Sequence, residues 1–98
     1  MSPEEELIRA GEARQILESR MFKEACVRIT EALALQRRQV PVRDVDMQTK
    51  LIITEQLWGN LTDWLQQTVE TGKFADFAIQ QKRSIAERLK AAAQTLRG

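Results

Sequence analysis

The chain has 98 residues, a net charge of +1, 43% apolar and 30% charged residues. That length makes one domain, which buries only ~60–65% of the surface its unfolded form exposes and has little room for a catalytic cleft with a separate lid. Histidine is absent, which removes the commonest general acid–base group and metal ligand, and the single cysteine, Cys26, makes neither an internal disulfide nor a zinc cluster.

The composition suits a helix-rich chain. Tyr is absent, aromatic residues are 5% of the chain, and the β-like run Leu51–Ile53 sits inside a helical pattern, so a sandwich or barrel is not expected. No stretch approaches ~18 consecutive apolar residues, and no charged-then-apolar leader opens the chain, so the expectation is a cytoplasmic protein without a membrane span.

The opening "SPEE" predicts a helix start. Ser2 is placed to cap, Pro3 takes the first helical position, Glu5 completes a capping box, and Glu4 to Glu6 face the positive end of the helix dipole. An apolar pattern then runs through Leu7, Ile8, Ala13, Ile16 and Leu17 and again, at steps of four, three and four, through Phe22, Cys26, Ile29 and Leu33. Between the two runs Ser19 can cap a new helix, which predicts a bend there. Pro41 cannot continue a helix and pushes Val40 to extended geometry. Asp44 is the expected cap of the next helix, whose stripe includes Leu51, Trp58, Leu61, Leu65 and Val69. Gly72 reads as its C-terminal cap residue, with a last helix beginning near Phe74.

After Phe74, Phe77 and Ala78, only Ile85, Leu89, Ala92 and Leu96 continue the stripe of that last helix. A helix packed in a globular core shows a wider apolar face, whereas a seam this narrow suits pairing with another helix. The segment is also basic. Residues 73–98 carry six bases and two acids, against net −2 over residues 1–31 and net −1 over residues 32–72. Arg83, Lys90 and Arg97 share one side through seven-residue steps, with Lys82 near them and Arg88 apart. No aromatic is interleaved with them, so a stacking platform for single-stranded nucleic acid is not indicated.

The remaining candidates carry bland readings beside sharper ones. Arg37, Arg38 and Arg43 flank the Pro41 turn and could contact phosphates or an acidic partner, or could serve the helix C-terminus as favourable charge. Trp58 and Trp64 are expected in the core, and an exposed one would be an interface anchor. Cys26 reads as a buried, inert thiol. The glycines are isolated, so no phosphate loop exists, and the glutamates read as solvated helix faces rather than catalytic groups.

The stretches "ARQILESRMFKEA" (Ala13 to Ala25) and "QLWGNLTDWLQQTVETGKFAD" (Gln56 to Asp76) resemble small helical proteins encoded among the head and packaging genes of tailed bacteriophages and prophages. The likeness is one of rhythm, covers roughly residues 7 to 76, and differs where that pattern has Asp-Pro and this chain has Ser19-Arg20. It implies a virion or assembly role through protein contacts, in the host cytoplasm or the virion, with residues 77–98 as an added helix.

The expected fold is all-α: a small antiparallel bundle of three helices, or four if the first breaks near Ser19, with a partly projecting C-terminal helix. Residues 1–76 form the expected core domain and 77–98 the interaction element. The expected core is Ile16, Leu17, Phe22, Cys26, Ile29, Leu33, Leu51, Leu61, Trp64, Leu65 and Phe77. The expected function is non-enzymatic: a protein that self-associates or docks on a larger assembly through Ile85, Leu89, Ala92, Leu96, Arg83 and Lys90, without cofactor, metal or small-molecule substrate. A nucleic-acid-binding or packaging accessory and a phage-encoded inhibitor of a host enzyme are the alternatives.

Overall fold

The computed structural model describes residues 1–97 and contains three helices: α1 (Pro3–Glu18), α2 (Arg20–Gln39) and α3 (Val45–Arg97). The breaks fall where local chemistry demands them. The Glu5 backbone N–H donates to Ser2 Oγ at 3.2 Å, with Pro3 in the first turn where its missing N–H costs nothing. Ser19 alone separates α1 from α2. Its backbone is extended (φ −60°, ψ 130°), its N–H closes α1 on the Ile16 carbonyl at 3.1 Å, and its Oγ accepts from the Phe22 N–H at 3.4 Å. One serine thus ends one helix and caps the next.

The connection from α2 to α3 is equally local. Val40 is extended (φ −76°, ψ 122°), and Asp44 Oδ1 accepts from the Met47 N–H at 3.2 Å to cap α3. The Gln48 side-chain amide donates to the carbonyls of Pro41 and Val42 at 3.0 and 2.9 Å, giving Val42 a partner and adding a second donor to the Pro41 carbonyl, which also accepts from the Asp44 N–H at 3.0 Å.

Beyond that loop α3 comes into contact with both earlier helices. Arg37 pairs with Glu55, Phe22 meets Trp58 with ring centroids 6.4 Å apart, and Ala10 meets Gly72, so paired residue numbers fall on one side as they rise on the other. Packing is uneven along this line. α1 lies close against α3, while α2 touches α3 much less and buries no residue. Side-chain size explains the difference. Ala10 meets Gly72, and Ala10, Ala13, Gly72 and Ala75 are all buried, so two backbones approach closely. A Cβ added to Gly72 would lie 2.0 Å from the Cβ of Ala10, a separation no pair of carbons tolerates. In α2 the facing residues are bulky and half-buried: Phe22, Ile29 and Leu33 against Leu51 and Trp58.

The structure corrects the sequence reading in two places. Gly72 does not end a helix. It has no positive φ, and α3 continues through it and through the expected start of a separate helix at Phe74. The expected core is also largely absent. Of its members only Leu65 is buried, while Leu17, Phe22, Cys26, Ile29, Leu33 and Leu51 are half-buried and Ile16, Leu61, Trp64 and Phe77 are exposed. The buried positions are mostly small ones: Ala10, Ala13, Gly72 and Ala75 beside Leu65.

The chain is therefore all-helical but extended. Its radius of gyration is 22.8 Å, against about 13 Å for a compact domain of this length. Its long dimension, 82 Å, is that of α3, since 53 helical residues span about 80 Å. α1 faces α3 only as far as the neighbourhood of Ile79, and every residue from Ile85 to Arg97 is exposed.

Candidate functional site: an interaction surface

The sequence-predicted partner residues all lie on the projecting end of α3. Ile85, Leu89, Ala92 and Leu96 are exposed, the three large ones at 53%, 67% and 89%, and nothing within the chain covers them. Arg83 and Lys90 flank them and are exposed as well.

This line does not stop at Ile85. Going back along α3 it continues through Ala78, Phe74, Thr71, Gln67 and Trp64. At ~100° per residue these nine positions fall within a sector of about 80°, with Trp64 at the edge that borders the side carrying Leu65, Gly72 and Ala75 and Phe74 and Ala92 at the edge farthest from it. Phe74 and Trp64 on this line are 75% and 54% exposed. Trp64 is thus the exposed tryptophan, while Trp58 is half-buried against Phe22. The sequence reading named the tail end of this line and missed its earlier half. It placed Trp64 in a core and closed the helix at Gly72. The signal available was the recurrence of large apolar residues on a second side of α3.

Beside the line, a shallow groove runs between α3 and α1. Trp64, Thr68, Arg9, Glu12 and Ile16 line it, with Glu6 and Thr71 toward its far end. The rim contributed by α1 is acidic on balance, with Glu4, Glu5, Glu6, Glu12 and Glu18 against Arg9 and Arg14. The tail is the reverse: Lys82, Arg83, Arg88, Lys90 and Arg97 against Glu87.

The three turn arginines do not converge. Arg37 is engaged by Glu55 and bridges α2 to α3, whereas Arg38 and Arg43 make no ion pair among the described residues. Arg38 lines the open gap between α2 and α3 with Leu33, Ala34 and Trp58, and Arg43 is exposed in the connecting loop. Cys26 is half-buried on α2. Among the described residues, no group of three or more His, Cys, Asp or Glu side chains is placed to hold a metal ion, and no helix is long and apolar enough to cross a membrane.

Compared with known proteins, the chain matches no family model, no curated protein and no solved structure.

Proposed function

We propose that the chain is a non-enzymatic interaction protein that self-associates, serving as a structural component of a larger protein assembly. One observation carries this reading. The chain exposes 8215 Å² of surface, whereas a folded monomer of 11.3 kDa exposes about 5,700 Å². The excess, about 2,500 Å², exceeds the ~800 Å² per partner that a stable interface of standard size covers. Large apolar side chains make up much of it, including Trp64, Phe74, Phe77, Leu57 and Leu89. A surface of that kind marks a contact with another protein. In this reading the antiparallel bundle is completed between chains rather than within one. The resemblance to head and packaging proteins of tailed phages supports an assembly role of the same kind.

The mass of the full chain by light scattering, on samples eluting from a gel-filtration column, tests the reading. A mass of two or more times 11.3 kDa supports it. A mass of one chain at tens of micromolar, with no partner protein retained, contradicts it.

The charge of the tail favours a second reading, contact with nucleic acid. Six bases against two acids over residues 73–98 lie on an exposed helix. A duplex DNA affinity that falls steeply with salt would support this reading, and negligible binding at low salt would remove it.

A further inference from the structure

We infer that two copies pack the projecting tails of α3 reciprocally, each tail lying on the Trp64 side of the other copy and against its α1; this rests on the self-association proposed above. Three observations meet in one arrangement. The exposed line on α3 is self-complementary when a second α3 is laid against it in the opposite direction. A two-fold axis near Gln80 brings Trp64 level with Leu96 of the second copy, Thr71 with its Leu89, and Phe74 with its Ile85. Apolar residues thus meet at both ends of each half, Trp64 with Leu96 and Phe74 with Ile85, with Leu89 over Thr71 between them, and the contact is the same on both copies, as a two-fold interface requires.

The same placement runs the tail parallel to the neighbour's α1, because α1 itself lies back along α3. At one constant sequence offset, Glu4 comes level with Lys82, Glu5 with Arg83, Arg9 with Glu87 and Glu12 with Lys90. All four pairs are of opposite sign, and no like-charged pair comes level at that offset. Neither α1 nor the tail uses these charges within the chain, since the ion pairs among the described residues are Arg37–Glu55 and Lys73–Glu70. The lengths also agree: α1 has 16 residues, or about 24 Å, and the segment from Lys82 to Arg97 spans about the same. Opposite charge then selects the register, and apolar burial supplies the affinity.

The test uses the full chain with Cys26→Ser, Thr71→Cys and Leu89→Cys, treated with a short bifunctional maleimide. Within one chain these two positions are roughly 27 Å apart along a single helix, so the reagent bridges them only between copies. The expected result is a cross-linked dimer in high yield, with either cysteine alone giving little. Light scattering of the unaltered chain separates tail exchange from self-association. A dimeric mass without cross-linking overturns the tail exchange and leaves self-association standing. A one-chain mass without cross-linking overturns both. As a second measurement, Glu12→Lys should raise the dimer Kd on the order of tenfold, since each of two symmetric contacts turns from attraction to repulsion. Adding Lys90→Glu should restore the original value; a double variant no tighter than Glu12→Lys contradicts the register.

Discussion

The close approach of α1 to α3 makes a prediction with opposite signs at two chemically identical positions. Gly59 and Gly72 both lie inside α3. In an exposed helix interior, Gly→Ala gains about 1 kcal/mol because alanine gives up less backbone freedom. A Cβ at Gly59 meets nothing within 4 Å, so Gly59→Ala should realise that gain. At Gly72 the new Cβ would lie 2.0 Å from Ala10 Cβ, and 3.5 Å from its Cα. Carbon atoms rest about 3.5–4.0 Å apart, so α1 has to retreat by roughly 1.5–2 Å there. Neither atom belongs to a flexible side chain that could swing aside. Overpacking of this kind costs ~1–3 kcal/mol, which offsets the propensity gain and leaves a net loss of up to ~2 kcal/mol. At 4–8 °C per kcal/mol for a chain of this size, Gly59→Ala should raise Tm by several degrees and Gly72→Ala should lower it by up to about 8–16 °C. The assay is thermal unfolding followed by helical circular dichroism, at one fixed protein concentration so that association does not shift the comparison. Adding Ala10→Gly to Gly72→Ala moves the methyl group to the other helix and should recover most of the loss. A Gly72→Ala protein that gains stability as Gly59→Ala does would refute the close-packed seam.

Other sites yield simpler expectations. Asp44→Ala removes the cap of α3 and should cost about 1 kcal/mol, whereas Asp44→Asn should cost little, both read from denaturant unfolding. Ser19→Ala removes the one side-chain cap between α1 and α2 and should cost ~0.5–1 kcal/mol in the same assay. In a Trp64→Phe background, where Trp58 is the only indole, Phe22→Ala should shift its emission to longer wavelength by exposing it to water; unchanged emission would count against the Phe22–Trp58 contact. Arg37→Ala should change stability by less than ~1 kcal/mol, because the Arg37 side chain is two-thirds exposed even where it pairs with Glu55.

Much of this architecture is written locally. Ser2 with Pro3, Ser19, Pro41 and Asp44 each act through a hydrogen bond or a fixed φ within a few residues, so the helix starts and both breaks are legible before any packing is known. The exposed tail stripe was legible for a similar reason: four apolar residues in that segment are too few for a core face. Gly72 misled because two different properties of glycine look alike in a sequence. It can end a helix by adopting positive φ, or it can let another backbone approach, and the second depends on Ala10, 62 positions away. Trp64 and Phe77 misled for a different reason. Apolar periodicity marks a side that wants covering, but is silent on whether the cover comes from the same chain or from another copy. Here the seam with α1 is taken by Leu65, Gly72 and Ala75, and a second apolar line is left facing outward.

Amide hydrogen exchange of Ile85 to Arg97, at two concentrations of the full chain, addresses that outward line most directly. A helix end with no tertiary contact opens locally at little cost and exchanges quickly whatever the concentration. The account predicts protection of these amides that rises with concentration, in step with the population of dimer. Rapid exchange throughout the tail, unchanged from the lowest to the highest concentration, would contradict it.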